Sequence, residues 1–141
     1  MLDSGNAAGA NVLIVEDEFL VALQLEDILT DAGHKVIGIV PDQAALHAIA
    51  EPPEVALVDL NLRDGPSGPG IARQLAERFG TAIVYVTANP VQIGRPAPTA
   101  IGVVHKPFSQ GAILAAISLA TQGEVERLPA ELDLYPRPGA A

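Results

Sequence analysis

The chain has 141 residues, one ordinary domain's length, and 49% of them are hydrophobic against 18% charged, which excludes a disordered chain. It has no cysteine, which removes disulfides, thiolate metal sites and cysteine nucleophiles together, and its 4% aromatic content calls for an aliphatic core. With 17 acidic residues against 8 basic, its net charge of −9 argues against a phosphate backbone as a direct partner.

No apolar run approaches the ~20 residues that cross a bilayer. The opening Met1-Leu2-Asp3-Ser4-Gly5 has neither a basic stretch nor an apolar segment of an export signal. The expectation is a cytoplasmic protein with no membrane partner. Residues 1–10 read as a flexible lead.

Val12 to Val15 is a continuous β-branched and aliphatic run, as expected of a strand buried on both faces. Val21, Leu25, Ile28, Leu29 and Ala32 then fall on one helical stripe, which Gly33 can close. Lys35 to Val40 reads as a second strand. Asp42 can cap a helix over 43–50, stopped by Pro52-Pro53. Val55 to Asp59 is a third strand. Ile71, Leu75 and Phe79 mark a helix ending at Gly80, and 82–87 is a fourth strand. Between Asn89 and Thr99 stand Pro90, Pro96 and Pro98, so the fourth helix is expected to be short or irregular. Ile101 to His105 is a fifth strand. Ser109 can cap a last helix with Ile113, Ile117 and Ala120 on its inner stripe. From Gly123 to Ala141 no period is visible, and this stretch reads as a tail outside the core, with Leu128, Leu132, Leu134 and Tyr135 spaced along it.

Strands alternating with helices over 11–122 predict an α/β fold, a doubly wound five-stranded parallel sheet. Ligands of such sheets sit beyond the carboxyl ends of the strands, where the strand order switches. Those ends carry Glu16-Asp17-Glu18, Asp59 with Asn61, Thr87-Ala88-Asn89 and Lys106-Pro107. Crowded carboxylates call for a cation, and a set of hard oxygens without His or Cys favours Mg²⁺. A hydroxyl and an ammonium beside them suit a phosphoryl group, with Asp59 as the natural nucleophile. Each element alone is commonplace: paired acids form solvated loops, a lone Asp caps helices, Lys-Pro bounds loops. Their ordered occurrence at successive strand ends carries the reading.

Val12-Leu13-Ile14-Val15-Glu16-Asp17-Glu18, Val58-Asp59-Leu60-Asn61 with Gly65 beyond, Val86-Thr87-Ala88 and His105-Lys106-Pro107-Phe108 resemble the CheY-like receiver domain of two-component response regulators. The resemblance covers about residues 11–122. It implies that Asp59 accepts phosphate from a sensor histidine kinase or phosphotransfer protein. It further implies that Asp17, Asp59 and the Asn61 backbone carbonyl ligate Mg²⁺, with Glu16 acting through water. Thr87 and Lys106 would bind phosphoryl oxygens, and the Lys106-Pro107 bond would be cis. Ala88 would leave the acyl phosphate open to attack. Asn61 and Asn89 would tune its hydrolysis, neither being an acid or a base. Val104 departs from the family, which generally has Tyr or Phe there, so a ring flip cannot be the output.

The Thr87-Ala88-Asn89-Pro90 turn is similar to receivers of bacterial general-stress-response regulators. Those carry a sigma-factor-like domain ahead of the receiver; ten residues precede the first strand here, so a stand-alone receiver is expected, as a monomer or weak dimer, signalling to an unknown protein partner or draining phosphate from a relay. Two other readings stay open. A pseudo-receiver would keep the fold without taking phosphate. A phosphatase of the haloacid dehalogenase type needs a second Asp where Asn61 stands. His34, His47 and His105 read as structural or surface histidines.

Overall fold

The computed structural model describes residues 9–136. Every predicted strand forms: β1 Asn11–Val15, β2 Lys35–Val40, β3 Val55–Val58, β4 Ala82–Thr87 and β5 Ala100–His105. They pair in parallel in the order β2-β1-β3-β4-β5. The order switches between β1 and β3, the chain having stepped outward to β2 before returning.

The sheet is covered on both faces, which is why its strands are apolar without alternation. Val12, Ile14, Leu57, Val84 and Val86 point to the face carrying helices α1 (Phe19–Asp31) and α3 (Gln110–Gln122). Leu13, Val15, Ala56, Val58 and Tyr85 point to the other, against α2 (Gly68–Phe79). Helix ends follow the sequence signals. The Ser109 hydroxyl accepts from Ala112 N at 3.1 Å, and Gly80 ends α2 in the left-handed region at φ 67°. Phe79, the last residue of α2, is partly exposed, with the Arg78 guanidinium 5.3 Å from its ring centre.

The fourth helix, expected to be short or irregular, is a 3-10 turn, Pro90–Ile93, as its prolines demand. Two expectations need correction. The helix expected over 43–50 is only a 3-10 turn, Ala44–Ala48. Asp42 does accept from Ala45 N, but its other oxygen is held by Arg63, 2.6 Å away, and Pro52-Pro53 follow too soon for a longer helix. The second concerns the termini. Ala10 is buried and its carbonyl accepts from Lys35 N, so the fold begins before residue 11. The stretch read as a tail contributes a sixth strand, β6 (Leu132–Leu134), antiparallel to β5. Leu132 is 2% exposed and belongs to the α1–α3 core. Residues 1–8 of the lead and 137–141 of the tail lie outside the described residues.

Candidate functional site

The site forms where β1, β3, β4 and β5 end side by side. Glu16 follows β1 and still bonds the sheet, its N–H donating to Val40 O at 3.0 Å. This draws its carboxylate inward to 2% exposure. Asp59 follows β3 and donates its N–H to Val15 O at 2.9 Å, which sets it beside Glu16. Asp17, one residue on, is exposed. The carboxylate oxygens of Glu16, Asp17 and Asp59 can lie within 4.8 Å of one another.

Three like charges at that spacing repel, and Lys106 answers them from the end of β5. Its Nζ donates to Glu16 Oε1 at 3.0 Å and to Asp59 Oδ2 at 3.3 Å. Burial pulls the Lys106 pKa down, but hydrogen bonding and charge from Glu16, then from Asp59, outweigh it and hold it above the ordinary lysine value. Burial raises the Glu16 pKa, and the Asp59 charge adds to the rise against the Lys106 hydrogen bond. The pocket is thus short of positive charge even with Lys106 in place. Its donors are hard oxygens, a set that fits a small divalent cation keeping part of its water shell.

Thr87 closes β4 and is 1% exposed. Its Oγ1 accepts from Asn89 N at 3.0 Å, which leaves the hydroxyl proton to donate. Its carbonyl accepts from Lys106 N at 3.0 Å, tying the two side chains' backbones together. The Lys106-Pro107 peptide is cis. Ala88 and Asn89 are exposed beside Thr87.

Not every expected residue joins this cluster. The Asn61 side chain turns away from the acids, its Nδ2 donating to Gln92 Oε1 at 2.8 Å. Val104 is fully buried in the α1–α3 core and lines no part of the pocket. His105 sits one residue before Lys106 and faces the opposite way, with Nε2 2.6 Å from Asp133 Oδ2. His34 Nδ1 accepts from Ala10 N at 3.0 Å, a structural role.

Two residues escaped the sequence reading. Gln92, on the 3-10 turn after β4, reaches back to Asn61, and nothing in a lone glutamine announces that. Gly68, at the start of α2, donates to Leu60 O at 3.1 Å. A Cβ there would overlap the Asp59 carbonyl oxygen, so only glycine lets α2 press against the Asp59 backbone. Its place between Ser67 and Pro69 was the available hint.

Comparison with known proteins agrees with this geometry. The response regulator receiver domain family matches over residues 12–118. The phyllosphere-induced regulator PhyR of Methylorubrum extorquens is 34% identical over 77% of this chain and 42% of its own length, so the chain spans less than half of that relative. The transcriptional regulatory protein PdtaR of Mycobacterium tuberculosis is 30% identical over 93% of this chain and 70% of its own. The solution structure of the Erythrobacter litoralis PhyR receiver domain superposes with a TM-score of 0.74 at 33% identity, covering 89% of this chain and all of that one. No described helix is long and apolar enough to cross a membrane. The chain belongs to the response regulator receiver domain family, a family of signalling proteins rather than classical enzymes.

Proposed function

We propose that this receiver accepts a phosphoryl group on Asp59 with the help of Mg²⁺. The carrying observation is the meeting of Glu16, Asp17, Asp59 and Lys106 at adjoining strand ends, with Lys106 Nζ 3.3 Å from Asp59 Oδ2. The donor is a phosphohistidine of a sensor histidine kinase or a phosphotransfer protein. The Asp59 carboxylate attacks phosphorus, the phosphorus–nitrogen bond breaks, and the imidazole leaves with its electron pair and takes a proton. The product is an acyl phosphate.

Asp17, Asp59 and the Asn61 backbone carbonyl would hold the ion, Glu16 assisting through water; the ion supplies charge to offset the phosphoryl oxygens. Lys106 moves from bridging two carboxylates to bonding a phosphoryl oxygen. Thr87 donates its free hydroxyl proton to another. Ala88 is small and exposed, so the phosphoryl group stays open to a donor or to water. Neither Asn61 nor Asn89 is a base, so hydrolysis proceeds through a positioned water. The phosphorylated chain signals by protein contact or drains phosphate from a relay, in the cytoplasm and without touching nucleic acid.

The test is intact mass after incubation with Mg²⁺ and acetyl phosphate. An adduct of about 80 Da, absent in Asp59→Asn and abolished by EDTA, supports the reading. No adduct, with beryllofluoride also failing to bind, overturns it in favour of a pseudo-receiver.

A further inference from the structure

The β5 edge is built to receive a strand, and the chain fills it with a minimal one. β6 has three residues, of which only Leu132 is buried. Leu134 is 43% exposed and Asp133 is exposed as well. The backbone bonds are orderly: His105 N donates to Glu131 O at 2.8 Å and Tyr135 N to Ile101 O at 2.9 Å.

Gly102 makes the close approach possible. It stands inside a strand of Ala, Ile and Val, where glycine weakens the strand. A Cβ at 102 would overlap the Asp133 carbonyl oxygen, so the glycine serves the incoming strand rather than β5 itself. The side chains of the seat are equally definite. Val104 lies opposite Leu132. His105 takes the acid at 133. The Tyr85 ring takes the aromatic at 135, edge to face, with centroids 6.5 Å apart.

We infer that the β5 edge is a docking surface for an extended protein segment, and that residues 131–135 are its resident occupant. The partner is another protein presenting the pattern Leu-acid-Leu-aromatic in strand form. It pairs its backbone with β5, gives an aliphatic side chain to the Val104 position, an acid to His105 and a ring to Tyr85. Backbone pairing supplies affinity and these alternate seats supply selectivity. The edge lies in register with the candidate site, Thr87 pairing with His105 across β4 and β5. Docking does not itself require that Asp59 take phosphate, so the two readings stand or fall separately.

The probe is a labelled peptide of residues 129–136, Pro-Ala-Glu-Leu-Asp-Leu-Tyr-Pro, followed by anisotropy. In the full-length chain, Asp133→Pro breaks the central rung of β6 and frees the edge. That variant should bind the peptide at least tenfold more tightly than wild type, and adding Gly102→Ala should abolish binding. A peptide with both leucines changed to serine should not bind. Absence of binding to a folded Asp133→Pro chain overturns the inference, as does binding indifferent to Gly102→Ala. So does a concentration-dependent dimer that takes up no peptide, which would assign the edge to a second copy. Wild-type amide exchange decides independently, even if the variant fails to fold. The Asp133 amide should exchange at least tenfold faster than that of Val104, whose N–H faces β4 rather than β6; exchange as slow as Val104 would make β6 fixed core and overturn the inference.

Discussion

The strand-end site and the β5 edge lie next to each other and are held by opposite kinds of force. At the site, clustered negative charge is partly offset by one lysine. Glu16 is almost fully buried and Lys106 bridges it to Asp59. At the edge, a short strand is held by backbone bonds, one buried leucine and an exposed hydrogen bond between His105 and Asp133. The first arrangement is costly to disturb; the second is cheap to open.

The sharpest break in the comparison is Asp59→Asn. It should remove the acyl-phosphate adduct altogether, read by intact mass, while β6 stays paired, read by amide exchange of Asp133 and Tyr135. Loss of both together would show that edge and site are one unit.

Lys106→Met should have the largest effect on stability. It leaves Glu16 buried beside Asp59 without a counter-charge, at a cost of about 3 kcal/mol in EDTA at neutral pH. The sign of the pH dependence follows from the raised pKa values. Burial already holds Glu16 above its ordinary value, and losing Lys106 raises it further. The folded variant therefore binds protons more tightly than the unfolded chain, so its deficit should shrink as pH falls. In wild type the Lys106 contribution persists from neutral pH upward and fades only above the ordinary lysine pKa, as pH passes through the raised folded value. Urea unfolding of both proteins at pH 5, 7 and 8 checks this. A deficit that grows toward acid would refute it.

The same contrast explains what could be read from the sequence. Glu16, Asp17, Asp59, Thr87 and Lys106 are polar residues that follow or close apolar strands, and their place at successive strand ends singles them out. The parallel sheet was legible because β1, β3 and β4 are too apolar to face water on either side. β6 was not legible, since Leu-Asp-Leu is too short to show a period. Its signal lay in its partner: Gly102, inside a β-branched strand, marks a close backbone approach. The short helix after β2 was overestimated because Asp42 does cap a turn, and local capping says nothing of where that turn stops. Gln92 meets Asn61 only through tertiary folding.

Leu132→Ala probes the edge where it is strongest. It removes the one β6 side chain packed in the core and should cost about 2 kcal/mol, the lower end for a buried leucine because the exposed flank can collapse. The phosphoryl adduct on Asp59 should form to the same extent as in wild type. A loss of phosphorylation would mean that β6 shapes the site.

Asp133→Asn is the mildest test. The pair with His105 is short, but Asp133 is largely in water and His105 about a third exposed, so its removal should cost no more than about 0.5 kcal/mol and less in high salt. Combined with Asp59→Asn, its effect on stability should add within about 0.5 kcal/mol, because no side chain joins Asp133 to Asp59. The route between them is backbone alone: His105 beside Thr87 in register, and Lys106 N on Thr87 O. Coupling above that margin in urea unfolding would show that this strand pair transmits side-chain changes, and that the two regions are not energetically separate.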